Sequence, residues 1–108
     1  MKIDVNAVLM TIDDKPIVTT KVDQHGADVE TNMTAGMVLS QAALQVGVAG
    51  DDKMTGEEKV RLFNLAMTVA GAKNGEIDLP VEDVAYIKTR IGKMFPPLIV
   101  GRMEQILK

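Results

Sequence analysis

The chain has 108 residues and a formal net charge of −3, and 46% of its residues are hydrophobic while 25% are charged. This composition is typical of one globular domain, so residues 1–108 are expected to fold as a single domain. The absence of cysteine excludes disulfides and cysteine-ligated zinc or iron–sulfur sites. The acidic balance argues against a dedicated binder of nucleic acid or of an anionic membrane surface.

The N-terminal segment predicts a β-hairpin over residues 1–21. Apolar and polar residues alternate at the start of residues 2–12, and a period of two is typical of a strand. Residues 13–16 (Asp-Asp-Lys-Pro) predict a turn, and the β-branched residues 17–20 favour a second strand. We expect these two strands to pair and to lie on an apolar surface, because a lone hairpin is marginal in water. A further short strand is predicted over residues 29–33.

Residues 34–108 predict a helical part with about four helices. Thr34 is placed to cap a first helix over residues 35–48. Its inward residues recur at three-to-four spacing and are Val38, Leu39, Ala42, Ala43 and Val46. The sequence Thr55-Gly-Glu-Glu is a capping box, in which the threonine oxygen accepts a hydrogen bond from an amide in the first helical turn. It predicts a second helix over residues 56–72, whose inner face is formed by Leu62, Leu65, Ala66 and Val69. Phe63 and Met67 are expected to extend that face toward a neighbour.

Two more helices follow a turn. Asn74-Gly75 predicts that turn, and residues 76–78 predict a short strand. Pro80 opens a third helix in its first turn, where a missing amide proton costs nothing. Residues 95–97 (Phe-Pro-Pro) end it, because a residue before proline avoids the α region. With a fourth helix over residues 98–107, the predicted fold is α+β, mainly α: an N-terminal β-hairpin packed beside a small helical bundle.

Side chains suited to catalysis are few. His25, Ser40 and Tyr86 are each the single residue of their type. Ser40 lies in an apolar stretch without a nucleophile elbow, and a lone histidine has no second histidine at metal-binding spacing. The adjacent carboxylate pairs do not face one another on a helix, and no phosphate-binding glycine loop is present. We therefore predict no catalytic residues, no metal site and no cofactor, and we expect a protein that is not an enzyme.

Membrane insertion and secretion are not expected. Residues 31–50 carry no charge, but nine of these 20 residues are polar or glycine, which is too dilute for a bilayer core. Asp4 and Asn6 interrupt any apolar signal core. The expected location is the cytoplasm.

The apolar residues exceed what one small core uses. In Leu98-Ile99-Val100 three consecutive apolar side chains point around most of a helix, which is more than one core-facing stripe needs. Pro96-Pro97 holds the chain in a rigid bend just before them. We therefore predict a partner-binding surface on the last helix and the preceding corner, formed by Phe95, Leu98, Val100 and Met103. The seven internal methionines either fill gaps in a core that is short of aromatics or form an adaptable contact surface.

One basic cluster supports an alternative. Lys88, Arg90, Lys93 and Arg102 lie in the last two predicted helices, and this is the main basic feature of the sequence. Cations near helix C-termini are ordinary, because they complement the helix dipole. As a contact for phosphate or nucleic acid, the cluster would make the protein a nucleic-acid-associated regulator.

The C-terminal third carries a resemblance. An acidic first turn at residues 81–83 is followed by Ile-Gly-Lys at residues 91–93 and by Pro-Leu-Ile-Val-Gly-Arg at residues 97–102. Together with residues 14–17 (Asp-Lys-Pro-Ile) and 55–59 (Thr-Gly-Glu-Glu-Lys), this order resembles small, mostly uncharacterised accessory proteins of tailed bacteriophages. The resemblance implies a small phage-type accessory factor, located in the host cytoplasm or on the virion, and it carries over no catalytic residue.

Composition, residue inventory and resemblance together predict a non-enzymatic protein-interaction module. Its partner is expected to be a host or phage protein or a second copy of the chain. Virion assembly and interference with a host machine are both compatible with the sequence. The nucleic-acid-associated regulator is the alternative.

Overall fold

Four helices and four short strands make up the fold in the computed structural model, which describes residues 1–45, 51–72 and 75–107. The strands are β1 (Lys2–Asp4), β2 (Val18–Val22), β3 (Asp28–Asn32) and β4 (Glu76–Asp78), and the helices are α1 (Ala35–Leu44), α2 (Gly56–Ala70), α3 (Val81–Met94) and α4 (Pro97–Ile106). A single 3₁₀ turn at Asp51–Lys53 precedes α2. The α+β class predicted from the sequence is confirmed.

The strands form two separate antiparallel pairs. β1 pairs with β4, and Ile3 stands opposite Ile77. β2 pairs with β3 as a hairpin whose loop is organised by Asp23. The Asp23 carboxylate accepts hydrogen bonds from the backbone N–H groups of His25 at 2.8 Å and Ala27 at 2.9 Å. Because a short polar side chain can bond the backbone two residues on, this aspartate fixes the turn locally.

The hairpin lies at residues 18–32 and not within the predicted residues 1–21. The turn predicted at residues 13–16 does form, but it leaves only one isolated bridge between Met10 and Pro16. Ile17 still donates back to the Leu9 carbonyl at 2.9 Å, whereas residues 18–22 pair onward with β3. Local alternation thus identified strand-forming segments, while their partners were set by the rest of the fold.

β1 is short because Asp4 folds the chain back on itself. Its carboxylate accepts from the backbone N–H of Asn6 at 2.9 Å, and its carbonyl accepts from that of Ala7 at 3.2 Å. The Val5 N–H then donates to the Gly75 carbonyl at 2.7 Å, just before β4. Gly75 has φ +75°, a backbone conformation that strains residues with a Cβ, and it lies close to the Asn6 side chain, so glycine is favoured at this position.

The core is built around α1. Both α2 and α3 pack against α1, and α4 packs against α3. The predicted inward residues of α1 are buried: Val38, Leu39, Ala42 and Ala43. The rest of the core comes from β1, β4, the other helices and the segments beside them, and it includes Ile3, Leu9, Leu62, Leu65, Ile77, Val84, Ile87, Ile91, Ile99, Met103 and Leu107.

The helix ends agree with the predicted capping signals. The Thr34 hydroxyl accepts from the Met37 N–H at 3.3 Å, and the Thr55 hydroxyl accepts from the Glu58 N–H at 3.2 Å. The starts and ends of α2, α3 and α4 fall within two residues of prediction. α1 ends at Leu44, and the predicted continuation over residues 46–48 lies outside the described residues, as does Asn74 of the predicted turn.

Candidate functional site

The outer face of α2 carries large apolar side chains that remain exposed. Val60 is 59% exposed, Phe63 56% and Met67 57%. Residues separated by three, four or seven positions lie on one side of a helix. These three side chains therefore form one continuous apolar stripe, called here the α2 outer face.

Packing on the opposite side of α2 fixes this orientation. Leu62, Leu65 and Ala66 are buried, and α2 packs through this side on α1. Arg61 adds a second restraint, because its guanidinium lies 2.6 Å from the Asp83 carboxylate of α3. A rotation that covered the outer face would expose the buried leucines and break this ion pair.

The stripe extends to both ends of α2 as a heptad pattern. Gly56 and Ala70, both exposed, continue the alternating spacing of four and three residues through Val60, Phe63 and Met67. Such spacing is the seam of a two-helix contact. The charges of the helix are confined to one end, because residues 62–72 contain none.

A groove borders the stripe between α1 and α2. Its volume is about 550 Å³. Leu44, the last residue of α1, is 59% exposed at its edge. The described lining also includes Met54, Lys59, Leu62, Phe63 and Arg90. The apolar surface of α2 therefore continues sideways onto the end of α1.

The predicted partner-binding surface on α4 is only partly a surface. Met103 is 1% exposed and belongs to the core, so its assignment to a contact surface was wrong for the folded chain. Phe95 and Val100 are half-buried and pack against the core. Leu98 is also half-buried and lines a shallow cavity of about 360 Å³ beside Ile12, which is 84% exposed.

Arg90, predicted as a phosphate contact, is instead a buried structural residue. It is 5% exposed. Its guanidinium donates to the Ala42 carbonyl at 2.7 Å, to the Gln45 carbonyl at 3.0 Å and to the Asp51 carboxylate at 2.7 Å. The last carbonyls of a helix lack intrahelical partners and carry the negative end of its dipole. Arg90 on α3 therefore caps the C-terminus of α1.

Two other members of the basic cluster are also engaged within the chain. The Arg102 guanidinium donates to the carbonyls of Met10 at 2.9 Å and Thr11 at 2.6 Å, which fastens the 10–16 turn to α4. The Lys88 ammonium lies 3.2 Å from the Glu104 carboxylate. Lys93 is exposed in the last turn of α3. These contacts do not assemble a phosphate site, since the cations face their own internal partners.

Side chains suited to chemistry are dispersed. Among the described residues no group of three or more His, Cys, Asp and Glu could hold a metal ion. His25 is exposed in the β2–β3 loop. The Tyr86 hydroxyl is buried without a protein hydrogen-bond partner in the described part of the chain, and Arg61 lies over its ring at 4.7 Å. Burial raises the pKa of Tyr86, and nearby Glu58 raises it further.

Comparisons with protein-family models, with curated proteins and with solved structures find no match to this chain. None of the described helices is long and apolar enough to cross a membrane.

Val60 lies outside every surface predicted from the sequence, and its two neighbours in the stripe are on a different face of α2 from the one predicted. Phe63 and Met67 were predicted to extend the inner face of the second helix. The sequence nevertheless contains a pattern that marks this stripe. From Gly56 to Ala70 the residues recur at alternating spacings of four and three, and this series does not include the buried leucines.

Proposed function

We propose that this protein is a non-enzymatic protein-interaction module that acts through the α2 outer face. In this proposal it is a small accessory factor of the type that the phage resemblance implies. The observation that carries the proposal is the exposure of Val60, Phe63 and Met67 on one side of a helix whose other side buries Leu62, Leu65 and Ala66.

The energetics favour a covered state for this face. Three such side chains and Leu44 each present roughly 100 Å² of apolar surface, and apolar burial stabilises by about 25 cal/mol per Å². The resulting patch of roughly 400 Å² is as large as the largest patch on a typical monomer, and such patches are often functional. Phenylalanine and methionine are also enriched in protein interfaces.

The two sites proposed from the sequence are less favoured. Phe95 and Val100 already pack against the core, which leaves mainly Leu98 and Ile12 at the α4 corner. In the basic cluster, the guanidinium groups of Arg90 and Arg102 donate hydrogen bonds to backbone carbonyls of their own chain. Neither feature presents a continuous surface comparable with the α2 outer face.

Site-specific photocrosslinking in cells tests the proposal. A benzophenone amino acid replaces Phe63 in one variant and Thr89, an exposed residue of α3, in a matched control. We expect a discrete adduct at Phe63, of constant mass between preparations, and at most diffuse labelling at Thr89. Equal labelling at the two positions, or no adduct at Phe63, would contradict an interaction role for this face.

A further inference from the structure

We infer that the partner of the α2 outer face is a second copy of this chain, which pairs with it antiparallel, α2 against α2. The inference rests on the proposed function and names its partner. It follows from the seam spacing, from the distribution of charge along α2 and from the apolar area available.

The apolar side chains of the α2 outer face fit against the same side chains of a second α2 that runs in the opposite direction. In an antiparallel pair with the twofold axis near residue 65, Val60 meets Ala70 of the second copy and Phe63 meets Met67. The symmetry repeats both contacts, which gives four layers, each pairing a larger side chain with a smaller or more flexible one. Such pairing fills the space between helices, and the Phe–Met layers add favourable sulfur–aromatic contacts.

Charge selects the orientation. Glu57, Glu58, Lys59 and Arg61 all lie in the N-terminal half of α2, and residues 62–72 are uncharged. A parallel pair would bring each charge beside its own copy, whereas an antiparallel pair lays the charged half of each helix along the uncharged half of the other. Antiparallel pairing also aligns the helix dipoles favourably.

The available area matches a dimer interface. A standard interface buries about 1,600 Å², of which about 57% is non-polar, so each partner supplies about 450 Å² of apolar surface. The seam residues together with Leu44 offer roughly that area per copy. The contact therefore requires no apolar contribution from another protein.

Single-cysteine crosslinking measures this arrangement directly, because the chain has no cysteine of its own. Val60→Cys, Ala70→Cys and the exposed control Thr89→Cys are prepared separately and in pairwise mixtures. In the antiparallel dimer the two copies of residue 60 lie about 15 Å apart along the helix axis. A disulfide needs Cα atoms roughly 4.4–6.8 Å apart. We expect the Val60→Cys and Ala70→Cys mixture to crosslink at least about tenfold faster than either variant alone or any mixture with Thr89→Cys.

Sedimentation equilibrium of the unmodified chain supplies the second measurement. We expect a concentration-dependent dimer that becomes monomeric in Phe63→Asp, with Met67→Asp as the second variant if the first loses its fold. A matched control, Thr89→Asp, should leave the dimer intact. Thermal unfolding of each variant establishes that it is folded.

Each alternative outcome overturns the inference in a different way. A monomer at all concentrations with no preferred disulfide excludes the second copy, and fast self-crosslinking of Val60→Cys indicates a parallel pair. A dimer that persists in folded Phe63→Asp places the interface elsewhere. If the chain is monomeric but the Phe63 photocrosslink joins a different protein, the proposed function stands and only this inference fails.

Discussion

α2 and α3 pack against the same central helix, yet they present different faces to solvent. On α3 the stripe formed by Val84, Ile87 and Ile91 is buried, and Val81 in the first turn is a single exposed valine, at 70%, that belongs to no stripe. The buried cation of this helix, Arg90, has three partners. On α2 one apolar stripe is buried and a second is exposed. α3 is therefore built to complete the core, whereas α2 has surface beyond what the core uses.

This difference shows what an excess of apolar residues means in a small domain. On α4 the run Leu98-Ile99-Val100 looked like the excess, but Ile99 is buried and the residues beside it are half-buried. A run of consecutive apolar residues spreads around a helix and meets several neighbours. A second stripe at heptad spacing lies on one side, which the neighbours that cover the first stripe cannot reach.

The largest expected effect is the difference in stability between a substitution of Arg90 on α3 and one of Arg61 on α2. Arg90→Ala should lower the free energy of unfolding by about 3–5 kcal/mol, because it removes a buried guanidinium together with its hydrogen bonds to the Ala42 and Gln45 carbonyls and to the Asp51 carboxylate. Arg61→Ala on α2 is the matched control. The Arg61 side chain is 40% exposed, so losing its ion pair with Asp83 should cost about 1 kcal/mol or less.

Urea unfolding of both variants at low protein concentration gives the measurement without a contribution from self-association. If the two substitutions cost the same, Arg90 is not the buried C-terminal cap of α1. Binding of duplex DNA by the unmodified chain at physiological salt, lost in Arg90→Ala without loss of stability, would restore the nucleic-acid alternative.

The next largest effect is the difference in stability lost when a buried valine and an exposed valine are each replaced by alanine. Val84→Ala on α3 removes a side chain that is 4% exposed, and Val60→Ala on the α2 outer face removes one that is 59% exposed. Both substitutions change helix propensity equally, so the difference reports burial alone. In urea unfolding at low protein concentration, where self-association does not contribute, we expect a loss of about 2 kcal/mol at Val84 and a change within about 0.5 kcal/mol at Val60. Comparable losses would mean that α2 is covered on both sides within one chain.

The sequence predicts those parts of the fold that local chemistry determines. Thr34 and Thr55 marked the helix starts because a hydroxyl before a helix satisfies an amide of its first turn. Pro80 marked the start of α3 because proline tolerates the first helical turn, and Phe95-Pro96-Pro97 marked its end because a residue before proline avoids the α region. Strand pairing depends instead on distant segments. β1 meets β4 more than 70 residues later, and nothing in residues 2–12 specifies that partner.

The candidate site was less predictable for the same reason. Burial depends on which stripe a neighbour covers. The spacing places Met67 on a second stripe of its helix, but spacing alone specifies neither that this stripe is exposed nor that Met103 is buried. Met103 is 1% exposed on α4 and Met67 is 57% exposed on α2. Arg90 resembled its basic neighbours until the end of α1 was placed beside it.

A smaller effect is expected from the side-chain cap at the start of α2. α2 begins with a side-chain cap at Thr55, whereas α3 begins after Pro80 with no side-chain cap. Thr55→Ala should cost about 1 kcal/mol, which is roughly a 4–8 °C fall in melting temperature. Thr68→Ala on the same helix is the control. Its hydroxyl bonds the Asn64 carbonyl, a contact that adds little to helix stability, so no loss is expected. An unchanged melting curve for Thr55→Ala would place the start of α2 elsewhere.

The smallest expected effect is a shift in the pKa of Tyr86, which tests the contact between α2 and α3. Burial raises the pKa of Tyr86 on α3 above its ordinary value of 10.0, whereas the Arg61 guanidinium of α2 over its ring lowers it. Because the raised pKa favours the neutral phenol in the folded state, this contribution to stability is complete below the unfolded pKa and is lost as pH rises through the folded pKa. Tyr86 is the only tyrosine and the chain has no tryptophan, so phenolate absorbance follows this one group. We expect a titration midpoint above 10.0 that moves higher in Arg61→Gln and stays unchanged in Lys2→Gln. A midpoint below 10.0, or one that does not change in Arg61→Gln, would show that α2 and α3 do not enclose Tyr86. The orientation of α2 that exposes its outer face would then rest on its packing against α1 alone and no longer also on the Arg61 contact with α3.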